Sequence, residues 1–154
     1  MKKFLFVGAA IIWSMSLSAQ SGNDYLELTR EVLKAEKKAA VTEALLLSEA
    51  ESQPFWNLYN EYQTALYVVQ NKRIAIIKDF SANFESLSGE KADELWVGTM
   101  KYKSELLKLK KRYYKKFKKV ISPGKAARFM QLENKIETLI DAQLALDIPL
   151  IETK

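Results

Sequence analysis

The stretch FWNLYNEYQTALYVVQNKRIAIIKDFSANFESL, Phe55 to Leu87, decides the fold. Within it Phe55, Tyr59, Tyr62, Leu66, Val69, Arg73, Ile76, Phe80, Phe84 and Leu87 succeed one another at intervals of three or four residues. That spacing returns a side chain to the same face of an α-helix. Sustained without interruption, it makes a heptad-like seam about 50 Å long at roughly 1.5 Å per residue. Trp56, Gln63, Gln70, Ile77 and Phe84 form a flanking stripe at sevens. Arg73 is the charged member of the main seam, expected either to snorkel outward or to meet an acid from a partner helix.

A helix with one long apolar seam needs a second to cover it, and the chain supplies one directly downstream. Ala92, Leu95, Thr99, Tyr102, Leu106, Leu109, Tyr113, Phe117 and Val120 repeat the same spacing, with Leu107, Tyr114 and Ile121 as a side stripe. The short break Leu87-Ser88-Gly89 between the two seams predicts a long antiparallel hairpin. No segment shows sustained alternation with period two, so no strand is expected.

Working outward, three breaks share one form: Leu47-Ser48-Glu-Ala-Glu51, Leu87-Ser88-Gly-Glu-Lys91 and Ile121-Ser122-Pro-Gly-Lys125. Each places a serine where its hydroxyl can accept from an unpaired N–H of a first helical turn. Glu51 completes a capping box with Ser48, and Pro123 falls at the first helical position, where its missing N–H is not needed. The chain is therefore expected to be all-α, with four helices at roughly 24–46, 49–86, 89–120 and 123–147, the second and third forming the hairpin and the first and fourth covering it. The fourth brings Phe129, Leu132, Ile136, Leu139, Ile140, Leu144 and Leu146 and stops before Pro149. Pro54 removes a hydrogen bond from a helix begun at Ser48; either Ser52 is the true cap or the helix kinks.

The opening MKKFLFVGAAIIWSMSLSAQ has two lysines, an apolar run from Phe4 to Trp13, and small residues up to Ala19. This is the layout of a cleavable signal peptide over residues 1–19, leaving residues 20–154 as a single helical domain. The competing reading is an uncleaved N-terminal anchor. Export predicts a periplasmic or secreted protein and argues against nucleic acid as partner. With neither His nor Cys, His-based acid–base catalysis, Cys nucleophiles, disulfides and the usual zinc or copper sites are outside the chain's chemistry. No P-loop, nucleophile elbow or dinucleotide fingerprint occurs. The expectation is a non-enzymatic protein with no cofactor, no metal site and no catalytic residue.

One segment asks for a partner. KLKKRYYKKFKKV, Lys108 to Val120, holds eight cations, three aromatics and no acid, and Lys101 to Lys119 holds ten basic residues against Glu105 alone, a local balance of +9. The full chain carries +5, or +3 without Lys2 and Lys3. On a helix Tyr113, Phe117 and Val120 point with the seam, so the rings belong to packing. Lys108, Lys111, Arg112, Lys115, Lys118 and Lys119 occupy the other faces and are the candidate partner-binding residues. Counterparts open to such a face are acids of the same chain (Glu85, Glu90, Asp93, Glu94), a second subunit in a homodimer, an anionic membrane or lipopolysaccharide surface, one dedicated partner protein, or unfolded clients. A solvated lysine face giving solubility is the plain alternative. Glu133, Glu137 and Asp141 share one side of the fourth helix and read as solvated acids.

Leu47-Ser48-x-x-Glu51 and Ile121-Ser122-Pro-x-Lys125, opening long helices behind a signal peptide, resemble the LTxxQ motifs of the Spy-like family of small periplasmic helical proteins. The layout is closer to an uncharacterised group of small exported bacterial helical proteins. That likeness rests on Phe55-Trp56-x-x-Tyr59-x-x-Tyr62, on Ser122-Pro123-x-Lys125-x-x-Arg128-Phe129-x-Gln131-Leu132-Glu133 and on Ile148-Pro149-Leu150-Ile151. The Spy-like resemblance implies a cradle-shaped helical homodimer that holds unfolded envelope proteins without ATP, and so a chaperone-like, envelope-stress role.

Overall fold

The computed structural model describes residues 34–151. The expected signal peptide and the beginning of the expected first helix lie outside them. Contacts divide the chain into two units, Met1–Ala39 and Ala40–Lys154. Of the first unit, residues 34–39 are described and are helical. In the second unit that helix, α1, continues to residue 45. It is followed by α2 (Glu49–Asn83) with a short 3-10 turn (Phe84–Ser86), α3 (Gly89–Phe117) and α4 (Pro123–Asp147). The fold is all-α, with no strand among the described residues. Helices α2 and α3 form the antiparallel hairpin, covered within the second unit by residues 40–45 of α1 and by α4.

The three serine caps form as their spacing requires. Ser48 accepts from the Glu51 N–H while the Glu51 carboxylate accepts from the Ser48 N–H at 2.9 Å, a closed capping box. The Ser88 hydroxyl accepts from the Lys91 N–H and the Ser122 hydroxyl from the Lys125 N–H, with Pro123 in the first turn of α4. Ser52 is not the cap: its N–H donates to the Ser48 carbonyl at 3.0 Å, and α2 runs on through Pro54. Helix α3 ends three residues before the expected Val120. Lys119 and Val120 bond back to Lys116 and Phe117 in tighter three-residue turns. Ser122, extended at ψ 150°, is held out of helical conformation by the proline after it.

Packing is concentrated at the open end of the hairpin. Phe55, Tyr62, Phe117 and Phe129 are fully buried, and Phe117 and Phe129 stand 4.7 Å apart between ring centres at 63°. Tyr59 and Trp56 join at the edge, their rings 5.2 Å apart and nearly perpendicular. Val41 and Leu45 of α1, Ile121 and Ala126 close this knot. Offset, edge-on contacts of this kind are worth about 0.5–1.5 kcal/mol each beyond the area they bury.

The seam of α2 is unevenly used. Its last fully buried member is Leu66, and Val69, Arg73, Ile76, Phe80, Phe84 and Leu87 are only half-buried. Leu58, outside the expected seam, is buried instead. In α3 the seam is buried at Leu95, Tyr102, Leu106, Leu109, Tyr113 and Phe117 and half-buried at Ala92 and Thr99, while its side-stripe member Leu107 is exposed; in α4, Leu139 and Leu146 are exposed too. Those two leucines lie seven residues apart on a face that neither α2 nor α3 reaches, so helical periodicity alone overstated the core.

Candidate functional site

The outer face of α3 carries the charge. Lys108, Lys111, Arg112, Lys115, Lys118 and Lys119 are all exposed. With Lys116, five of them form two sets with a step of four residues, Lys108–Arg112–Lys116 within α3 and Lys111–Lys115–Lys119, which ends in the turn beyond it, so like charges meet along the helix; Lys118 stands outside both. Each such pair opposes the helix by about 0.2–0.5 kcal/mol. Arg112 lies over the Tyr113 ring, 5.4 Å from its centre, and Lys118 over Tyr114 at 4.9 Å. Lys116 reaches Glu61 on α2 at 3.1 Å, and Lys110 is tied to Glu137 and Asn134 on α4. Lys108, Lys111, Lys115 and Lys119 form no ion pair among the described residues. The acids expected as internal counterparts do not serve this stretch: Glu94 pairs with Lys91, and the acids that reach into it are Glu61 and Glu137.

Continuous with the charged rows is an apolar strip absent from the sequence reading. Trp96, Val97, Met100 and Leu107 are between 40% and 63% exposed. Trp96, Met100, Lys103 and Leu107 follow at steps of four, three and four, on a face of α3 turned away from the seam. The sequence carried that signal, but the stronger seam on the opposite face masked it. Exposed apolar side chains alternate with Lys101 and Lys103 before the denser cations begin, over a span of about 35 Å from Trp96 to Lys119.

The acids of α4 are a correction. Read as solvated, Glu133 and Glu137 instead face the hairpin and fix the register of α4 on it, while Asp141 stays solvent-exposed and pairs with Arg73. Glu133 is 4% exposed and accepts from the Tyr62 hydroxyl at 3.0 Å. Glu137 holds Lys110, and Asp141 holds Arg73 at 2.6 Å. Arg73 also lies 6.0 Å from the centre of the Tyr102 ring, so it meets a partner-helix acid, the second of its two expected fates. Burial, and then the nearby Glu133 charge, pushes the Tyr59 and Tyr62 phenols well above their ordinary range. The Tyr59 hydroxyl is buried with no hydrogen-bond partner among the described residues.

A third polar node joins three chain segments at the open end. Lys125, from the first turn of α4, donates to Glu51 at 2.6 Å and to the Leu46 carbonyl at 3.1 Å. The Lys125 bond, reinforced by the Ser48 N–H, pulls the Glu51 carboxyl down to about 2. Leu46, 78% exposed, takes the left-handed conformation at φ 45° so that the chain can turn from α1 into Ser48.

No group of three or more acids among the described residues is placed to hold a metal ion. No helix among them is long and apolar enough to cross a membrane. Comparison with protein families, with curated proteins and with solved structures finds no match.

Proposed function

We propose that the protein is a non-enzymatic binding protein of the bacterial envelope that captures partly unfolded polypeptides, a chaperone-like role suited to envelope stress. One observation carries the reading: the exposed lysines 108, 111, 115 and 119, which form no ion pair among the described residues, run on from the exposed Trp96, Val97, Met100 and Leu107. Cations in this position speed encounter with acidic chains, and exposed apolar side chains then hold them. The two rows of like charge support the same reading, since they oppose the helix that bears them. Neither the binding nor the address depends on ATP, a metal or a cofactor.

The test is suppression of aggregation. Stoichiometric protein should keep several unrelated unfolded proteins in solution, and Lys111→Glu, Lys115→Glu and Lys119→Glu together should slow client capture at least severalfold. Failure with every client sinks the reading. A second reading, a peripheral binder of anionic lipid, is favoured by Trp96 standing beside the lysines, a pairing common at membrane surfaces. It predicts sedimentation with anionic vesicles and release by salt, because screening sets in over about 10 Å at 0.1 M.

A further inference from the structure

At the end of the bundle away from the aromatic knot, α2 and α4 finish at one cleft. Helices α2 and α4 run in the same direction, since Tyr62 meets Glu133 and the later Arg73 meets the later Asp141. The cleft walls are Ile77, Phe80, Phe84, Leu144, Ile148 and Pro149. Phe80 and Phe84 stand edge to face, 5.3 Å apart. The hollow measures about 560 Å³, within the roughly 300–1,000 Å³ that sites for organic ligands occupy.

The electrostatics around this apolar hollow have one sign. Glu85 and Asp147 lie at it, and no lysine or arginine among the described residues lines it. Neither carboxylate makes an ion pair among the described residues. A helix C-terminus carries about half a negative charge on its last carbonyls, which a basic residue in the last turn usually offsets. Helix α3 has such residues, Lys115 and Lys116, whereas α2 and α4 have none. The nearby Lys91 is already held by Asp79 and Glu94. Two carboxylates, of which Asp147 also accepts from the Gln143 amide at 3.2 Å, and two helix ends without a basic residue in the last turn thus converge on walls that mix apolar side chains with Ser81 and Ser86.

We propose that this cleft is a second binding site, which takes a polypeptide segment of two or three apolar side chains next to a lysine or arginine. The apolar side chains enter between Phe80, Phe84 and Leu144. The cationic group meets Glu85, Asp147 and the carbonyl end of α4. The site is opposite in charge to the outer face of α3 and does not depend on it.

The experiment uses the full chain, labelled with nitrogen-15, and two probes: acetyl-Leu-Phe-Lys-amide and acetyl-Leu-Phe-Glu-amide. The lysine peptide should shift the amides of residues 77–86 and 144–151, and the glutamate peptide should bind about tenfold more weakly, as expected for a charge-assisted contact. Glu85→Gln with Asp147→Asn should weaken the lysine peptide by a similar factor while the helical circular dichroism stays unchanged. Ser81→Trp, on the cleft wall, should block it. The triple lysine reversal on α3 should leave it intact, which separates this site from the proposed client face. Equal binding of the two peptides, shifts confined to α3, binding that survives Ser81→Trp, or no shift at millimolar peptide would overturn the proposal.

Discussion

Tyr62 donates its phenolic hydrogen to Glu133 across 3.0 Å of buried space, joining α2 to α4 through groups seventy-one residues apart in the chain.

Tyr62→Phe removes the donor and keeps the ring, so its effect isolates the bond. It should lower stability by about 1–3 kcal/mol, the range for stripping a buried acceptor of its partner. Combining it with Glu133→Leu, which removes the acceptor too, should give a smaller loss than Tyr62→Phe alone. Urea denaturation of the three chains checks both statements, and an unchanged midpoint for Tyr62→Phe would refute the first.

Leu46 is held in a conformation that disfavours a side chain by about 1–2 kcal/mol, and it buries little in return. Leu46→Gly keeps the carbonyl that Lys125 uses and should raise stability by about 0.5–1 kcal/mol after the greater freedom of glycine in the unfolded chain is subtracted. Leu46→Val, branched at Cβ, should lower it. Thermal melts that rank the three in any other order contradict the strain.

Glu51 titrates near 2 in the folded chain against an ordinary 4.5. A depressed folded value means that its contribution is fully present above the unfolded pKa and disappears as pH falls from about 4.5 toward 2. Glu51→Gln should therefore be less stable than the parent at pH 6, with the gap closing as the pH approaches 2. Parallel acid titrations followed by circular dichroism test this; a gap that widens below pH 4 would show the sign to be wrong.

Lys111 stands three residues after Lys108 and four before Lys115, clear of the last turn of α3. Lys111→Glu replaces two repulsive pairs with two attractive ones and should stabilise the isolated protein by about 0.5–1 kcal/mol. Denaturant midpoints at low and at high salt decide it, since the gain should shrink when salt screens the pairs.

The fold was legible because its signals are local and repeated. The seam from Phe55 to Leu87 named the long helix, and the serines at 48, 88 and 122 marked each start to within a residue. What could not be read were relations between helices. Periodicity shows that Glu133, Glu137 and Asp141 share a face, yet an acid facing Tyr62, Lys110 or Arg73 has the same spacing as one facing water. Likewise Leu139 repeats as faithfully as Phe129, and only the placement of α4 decides that one is exposed and the other buried. In the candidate site, the lysines were evident from composition, whereas the strip from Trp96 to Leu107 was hidden behind the richer pattern on the opposite side of the same helix.

The cationic rows of α3 have one further meaning. Their mutual repulsion works against helix formation, and the helix persists because Tyr113 and Phe117, one turn apart on its inner side, are locked into the aromatic knot. Loosen that knot and the ordered array of charges loses the packing that holds it in register. The outward-facing pattern is thus a read-out of internal integrity: a damaged copy does not present the same surface as a sound one, and anything that recognises the array recognises only intact protein.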